Sequence, residues 1–306
     1  MQRVLTIGSA LIDVFITSQN FELNQEIGSM CFTNKSGKLE VENFDVRTGG
    51  GASNTAVGFS RMGFQAACIA EMGKDELAHL VADSFKDENV HQQYLINEKK
   101  EQTGGSVILV AEGGERMVLV HRGAASMLDP QDISAQAIEE SDWIHLSSIA
   151  GRLNTLEHIF DVVRQYNKKM SWNPGSGFLK SLHERDWDIA SFPIEVLILN
   201  KQEWEMTRNK QQTFLDVVPK IVITDGNKGG SVFVDGQLVH EFVAEQVEAI
   251  DNTGAGDAFG VGFVSALLHE KSVEQAIDWG KKNAASVVQK IGAKPGLLYA
   301  SDLELS

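Results

Sequence analysis

The residue types best suited to chemistry cluster near the C-terminus, in Asp251-Asn252-Thr253-Gly254-Ala255-Gly256-Asp257-Ala258-Phe259. Phe259, Phe263, Val264, Leu267 and Leu268 follow at a spacing that makes one buried helix face. Gly254 and Gly256 carry no Cβ, so their backbone can come close to a ligand, and the N–H groups from Gly254 through Asp257 can converge on an anion at the helix N-terminus. An oxyanion or a phosphate fits such a hole. Asp257 is placed to accept a proton from an alcohol beside the anion, and the helix dipole would hold it ionised. Capping the helix is the plainer role open to Asp251 or Asp257. The glycine spacing is GxGxxxG rather than GxGxxG, and no second strand with a ribose-binding acid follows, which disfavours a dinucleotide site; GxxxxGK[ST] is absent.

Toward the N-terminus, Asp13 follows an apolar run and offers two acceptor oxygens to vicinal hydroxyls, or closes a turn. Gly50 and Gly51 free backbone N–H groups for a ligand, with Asn54 as a further polar contact or a helix N-cap. Glu203 alone reads as a solvated face residue. The eight His residues form no HExxH or i,i+4 pair, and Cys31 and Cys68 lie far apart without metal spacing, so neither zinc nor a disulfide scaffold is indicated.

Positioning such groups takes a scaffold, and the chain alternates strand and helix patterns. Arg3 to Gly8, Trp143 to Ser147, Glu195 to Asn200 and Lys220 to Thr224 are short apolar runs ending in small or polar residues, as buried parallel strands do. Between them Leu77, Leu80, Val81, Ser84 and Phe85 mark one helical face, and Leu156, Ile159, Phe160 and Val163 another. This predicts an α/β fold with helices on both faces of a mostly parallel sheet and a ligand beyond the carboxyl ends of the strands. Met30 to Val46 and Ser106 to His121 break the pattern, the latter as two strands joined at Glu112-Gly113-Gly114-Glu115. They read as a small antiparallel sheet lying over the site as a lid, or as an edge hairpin of the main sheet.

With 306 residues, 42% of them hydrophobic and 23% charged, the chain is of ordinary globular balance. The 42 acidic against 27 basic residues set a net charge of -15, which repels nucleic acid and anionic lipid surfaces. Positive potential for an anionic ligand must therefore be gathered locally. No signal-peptide pattern opens the sequence and no apolar run reaches the ~18 residues of a membrane span, so a soluble cytoplasmic protein is expected.

The segment from Asp251 to Phe259 resembles the C-terminal signature of the ribokinase-like, or pfkB, carbohydrate kinase family, and other pieces follow in the family's order along nearly the full chain. Gly49-Gly50-Gly51-Ala52-Ser53-Asn54-Thr55-Ala56, continuing to Arg61-Met62-Gly63, is similar to the N-terminal signature, whose paired glycines and Asn contact sugar hydroxyls. Ile7 through Asp13 looks like the first strand, whose acidic end ligates two of those hydroxyls. Asn200-Lys201-Gln202-Glu203 matches the NxxE element placed near Mg2+ and the phosphates. Thr224-Asp225-Gly226 with Gly229-Gly230 is similar to the loop that holds the nucleotide. Asn283 falls on the helix that lines the adenine pocket in relatives. Relatives often bind a monovalent cation between the loop of Asp251 and Thr253 and a later one matching Ile291-Gly292-Ala293-Lys294; the sequence leaves open whether K+ is held here. Asn252 stands where the family usually has Thr, Ala125 where relatives often have Asn, and Ser147 to Arg152 fits no single substrate subgroup.

The resemblance implies a ribokinase-like three-layer sandwich over residues 1–306, with lid strands inserted from about 15–47 and 95–122. It also implies in-line transfer of the γ-phosphoryl group of ATP to the hydroxymethyl of a small, ribose-like sugar. Asp257 is then the general base, the backbone of Gly254, Ala255 and Gly256 the anion hole, and Mg2+ is held mainly by the ATP phosphates near Glu203. In relatives the lid sheets pair two subunits, which implies a homodimer. A nucleoside kinase of adenosine type shares every catalytic part, and a catalytically silent sugar-binding regulator is the other reading, against which Asp257 argues. A neutral pentose or ribosyl acceptor is expected, because few Lys or Arg lie in the pocket segments. Arg47, Arg122 and Arg152 are the candidates to hold a sugar phosphate instead, and Phe15, Phe32 and Phe44 the candidates to stack a base.

Overall fold

A computed structural model describes residues 1–19, 21–24, 29–32, 38–97, 100–111, 116–182 and 184–304. The four apolar runs are strands of one nine-stranded sheet: β1 (Arg3–Ile7), β10 (Trp143–Leu146), β12 (Val196–Asn200) and β13 (Lys220–Thr224). Parallel pairing adds β6 (Gln65–Met72), β7 (Leu95–Asn97) and β11 (Lys169–Trp172). The antiparallel strands β14 (Gly230–Val234) and β15 (Gln237–Phe242) extend the β13 edge. Continuous apolar strands need cover on both faces. On one face lie α1 (Gly51–Arg61), α2 (Glu76–Asp87), α8 (Ala255–Leu268), α9 (Val273–Val288) and α10 (Ala300–Glu304). On the other lie α3 (Ala135–Glu140), α4 (Leu153–Gln165), α5 (Gly175–Ser181), α6 (Lys201–Met206) and α7 (Gln211–Val217).

Helix α4 buries Leu156, Ile159, Phe160 and Val163 as their spacing predicts. Helix α2 is rotated from the predicted face: it buries Ala78, Val81 and Phe85, while Leu77 and Leu80 are exposed. Two interleaved apolar stripes satisfy the same 3.6-residue period there, and packing against the sheet selects the one with the smaller Ala78. No described helix is long and apolar enough to cross a membrane.

The lid is a second sheet in the order β5 (Asn43–Gly49), β2 (Leu11–Thr17), β8 (Gly105–Val110) and β9 (Arg116–His121). Its β2–β5 and β8–β9 pairs are antiparallel and its β2–β8 pair parallel. The second insertion therefore starts at Gly105; Leu95–Asn97, read from sequence as its beginning, instead edges the main sheet beside β6. Strands β3 (Phe21–Asn24) and β4 (Ser29–Phe32) form a separate hairpin, and the predicted turn at 112–115 lies outside the described residues, as does the Phe32 side chain. Register puts Arg47, Asp13 and Ser106 in one row of the lid and Thr17, Val110 and Arg116 in a row four residues nearer the tip. Side-chain alternation sets both rows on one face. The opposite face exposes Phe44, Val46 and Leu119.

Candidate active site

Helix α8 begins where the sequence demands: Gly254 is its N-cap at φ 77, and a Cβ there would lie 2.3 Å from that of Ala293. Its flank is small enough for neighbours to close in, since a Cβ on Gly58 would lie 2.8 Å from the Val261 side chain and one on Gly262 2.5 Å from the Trp279 carbonyl. The packing leaves the first turn of α8 facing a cavity. Ala255 N–H reaches the Asn252 carbonyl at 3.3 Å, while among the described residues no protein acceptor meets the N–H groups of Gly254, Gly256 or Asp257. A Cβ on Gly256 would meet nothing within 4 Å. This is the vacant donor set of a helix N-terminus that takes an anion.

Asp257 stands in that first turn. Asn54 Nδ2 donates to its Oδ2 at 2.8 Å across 203 residues of chain. Protein packed around the carboxyl pushes its pKa up to about 6, the hydrogen bond from Asn54 opposing. The helix dipole was expected to hold this group ionised; desolvation outweighs it, since burial acts on the whole charge and the dipole only on a fraction of one.

Asn54 is not an N-cap but a residue of the second half-turn of α1, 4% exposed, with its Oδ1 buried and unpartnered among the described residues. The cap is supplied from another strand connection: Ser9 Oγ accepts from Gly51 N at 3.1 Å and Ser9 O from Ala52 N and Ser53 N. The Gly51 N–H is therefore spent on Ser9 rather than free for a ligand, a correction to the sequence reading. Gly50, at φ 94 with a prospective Cβ 2.5 Å from the Ser9 carbonyl, is glycine for conformation and close packing. Gly51 is glycine because a Cβ would strike Ser147, whose own buried hydroxyl has no partner among the described residues.

Asp13 lies on the lid face that covers this region, 7% exposed, accepting from the Ser106 hydroxyl. Burial raises its pKa and the Ser106 bond opposes this. It sits within β2, not at the end of β1, so it closes no turn.

Two adjoining cavities open at the carboxyl ends of β12 and β13. The larger, about 330 Å³, takes Thr224, Gly226 and Gly229 on one side and Val247, Ala285 and Val288 on the other. Gly229 is obligatory, with φ 100 and a prospective Cβ 1.8 Å from the Phe242 carbonyl. The smaller, about 170 Å³, is bounded by Asp257, Glu203 and Asn173, and shares Asn200, Thr224 and Gly256 with the larger. Asn200 and Glu203 form a capping box at α6, each backbone N–H donating to the other's side chain at 2.9 Å. Burial raises the Glu203 pKa, its bond with the Asn200 backbone opposing. An apolar slot leading to free N–H donors fits a nucleotide with its base in the larger cavity and its phosphates toward α8. One carboxylate with two amides suits a Mg2+ arriving on phosphates, not a dedicated protein cage.

Asn283 is absent from this lining. It is 0% exposed, donates to the Ala258 carbonyl at 2.7 Å and accepts from Leu298 N at 2.9 Å, tying α8 to α9 and the C-terminal segment. Its neighbours on α9, Lys281 and Ala284, line the cavity instead, one helical step away. The carboxylate of the implied monovalent-cation site is already engaged by protein donors. Asp251 Oδ1 already accepts from Thr253 N, Thr253 Oγ1 and Arg116 Nη1, and Oδ2 from Gly292 N. Sequence reasoning passed over Asn173, Arg116 and Ser106. The buried run Met170–Trp172 ahead of Asn173 was the available signal for the first; the other two sit in a strand pair with no motif of its own.

Solved structures share the fold. Adenosine kinase from Sinorhizobium meliloti superposes with a TM-score of 0.80 at 20% identity, covering 99% of this chain and 98% of that one. Arabidopsis thaliana ribokinase complexed with ribose and ATP does so with 0.76 at 17%, covering 100% and 98%. The fold is thus the ribokinase-like α/β sandwich with a small β lid. In sequence, the chain is 29% identical over 282 residues to a ribokinase from Haemophilus influenzae, 87% of this chain and 89% of the relative. Residues 1–298 match the pfkB family carbohydrate kinases, and the chain belongs to that family. It is a phosphotransferase that acts on an alcohol group of a sugar or nucleoside, with ATP as the family's donor.

Proposed function

We propose that this protein transfers the γ-phosphoryl group of ATP to the hydroxymethyl of a neutral, ribose-like sugar. The observation that carries this is the place of Asp257: it borders the phosphate-side cavity, stands in the turn with the free N–H donors, and is bonded to Asn54 of the helix that follows the Gly49–Gly51 loop. One carboxylate thus joins the donor and acceptor sides. Its Oδ1 takes the proton of the acceptor hydroxyl, and the N–H groups of Gly254, Gly256 and Asp257 stabilise charge on the phosphoryl group in transit. Mg2+ bound to the phosphates would neutralise their charge, with Glu203, Asn173 and Asn200 nearest to hold it. Asp13 binds sugar hydroxyls and the lid excludes water.

Support for a neutral acceptor comes from the arginines. Arg47 pairs with Asp45 at 3.0 Å, Arg152 with Asp129 and two backbone carbonyls, and Arg116 with Asp251, while Arg122 is exposed. Arg47, Arg116 and Arg152 are thus each committed to a carboxylate. A nucleoside acceptor is the second reading, favoured by Phe15, which shares the Asp13 face of β2; Phe44 lies on the other face and is 65% exposed. Release of ADP is to be measured with ATP and Mg2+ against pentoses, hexoses, their phosphates and nucleosides. A free pentose should give the highest kcat/KM. A sugar monophosphate about tenfold above every neutral acceptor would overturn the reading. We infer also that a second copy covers the exposed lid face bearing Phe44, Val46 and Leu119.

A further inference from the structure

We propose that the Arg116 guanidinium takes the place of a monovalent cation beside the anion-hole loop, so that the phosphoryl transfer proposed above needs no K+ and the lid tip is latched to the loop it covers. Asp251 is 7% exposed and sits three residues before Gly254. Its carboxylate meets Thr253 N at 3.0 Å, Thr253 Oγ1 and Arg116 Nη1 at 2.7 Å each, and Gly292 N at 2.9 Å. Three of those four donors share Oδ1, so a metal ion seated at that oxygen would have to displace one of them. The displaced partner would be the only cation among the four, and an arginine stays charged at every working pH.

The second loop of the implied cation site is also tied to the lid. Lys294 is 7% exposed; its Nζ donates to Thr48 Oγ1 at 2.7 Å and Ser53 Oγ at 2.6 Å and lies 5.4 Å from the centre of the Phe85 ring. Thr48 belongs to β5 and Arg116 to β9, so each outer strand of the lid is hydrogen-bonded to one of the two loops. The stem of Arg47, also of β5, packs on Gly292, whose Cβ would lie 3.1 Å from Arg47 Cγ. A tethered cation is present at a concentration set by the fold rather than by bulk salt. Lifting the lid would strip Asp251 of its counterion. Lid closure and the order of the Asp251–Asp257 turn are coupled through that pair, which makes Arg116 a positioning residue.

The test compares wild type with Arg116→Gln and Arg116→Lys in tetramethylammonium, Na+ and K+ at equal ionic strength. Binding of a non-hydrolysable ATP analogue with Mg2+ is read by calorimetry and turnover by ADP release. Calorimetry needs no acceptor, so it decides this inference even if the proposed acceptor is wrong. Wild-type affinity should vary less than about threefold among the salts, and Arg116→Gln should lose about fivefold or more in tetramethylammonium, with Arg116→Lys closer to wild type. Larger K+ stimulation of the wild type, or a smaller loss in Arg116→Gln, overturns the proposal. Circular dichroism of each variant separates these outcomes from unfolding.

Discussion

At the scale of single residues the structure turns on Asp257, whose pKa of about 6 reflects burial set against one hydrogen bond from Asn54. A base poised there is ionised at neutral pH yet basic enough to take an alcohol proton as the phosphoryl group arrives. The kcat/KM profile should therefore fall on an acid limb near pH 6. Asp257→Asn should keep the fold and lose at least about 10²-fold in kcat across the range. Because the folded pKa lies above the unfolded value near 3.8, the group's stabilising contribution is full below that value and is lost as pH rises through about 6. Denaturation at pH 8 should then find Asp257→Asn more stable than wild type by on the order of 2 kcal/mol, a gap that closes below pH ~4. Wild-type turnover in the folded variant would sink the assignment of the base.

At the scale of elements, α8 and α9 carry the site jointly, and Asn283 is the pin between them. Its amide serves the Ala258 carbonyl, one residue beyond Asp257, and the Leu298 N–H. Asn283→Ala leaves the Leu298 N–H without its partner and takes a second donor from the Ala258 carbonyl inside α8, at a cost on the order of 1–2 kcal/mol. The thermal midpoint should fall clearly while KM for ATP stays within about twofold, because the side chain does not line the cavity. A large rise in KM with unchanged stability would restore the nucleotide contact read from sequence. The helices are also where sequence patterns were ambiguous: α4 has one apolar stripe and was legible, whereas α2 has two and its orientation followed from packing.

At the scale of the whole molecule, the lid leaves Phe44 65%, Leu119 53% and Val46 44% exposed on the face turned from the site. Phe44 and Val46 stand on one edge of that sheet and Leu119 on the other, so a partner covering them would span its width. Sedimentation equilibrium should find a dimer, and the paired change Phe44→Glu with Leu119→Glu should return it to monomer with the main domain still folded. A monomeric wild type, or a dimer that survives both charges, would remove the lid as the contact surface. The net charge of -15 acts at this scale too. With repulsion of anions as the background, the proposed nucleotide would depend on the local donors of α8 and on any magnesium it carries.

By itself the sequence determined the α/β class, four strands of the main sheet and a small second sheet. These are readable because periodicity and short motifs are local, and a strand or a tight turn is specified by residues adjacent in the chain. It also set Asp257 in one turn with the N–H groups of Gly254 and Gly256, because those residues are adjacent in the chain. Only the tertiary structure decided which partners those residues have. Ser9 caps α1 in place of Asn54, Asn54 turns to Asp257 across 203 residues, and Arg116 meets Asp251 across 135. Asn283 faces inward while its neighbours face the cavity. Such pairings depend on how helices and lid dock, and a side chain able to cap, ligate or pin looks the same in sequence until packing chooses among its partners.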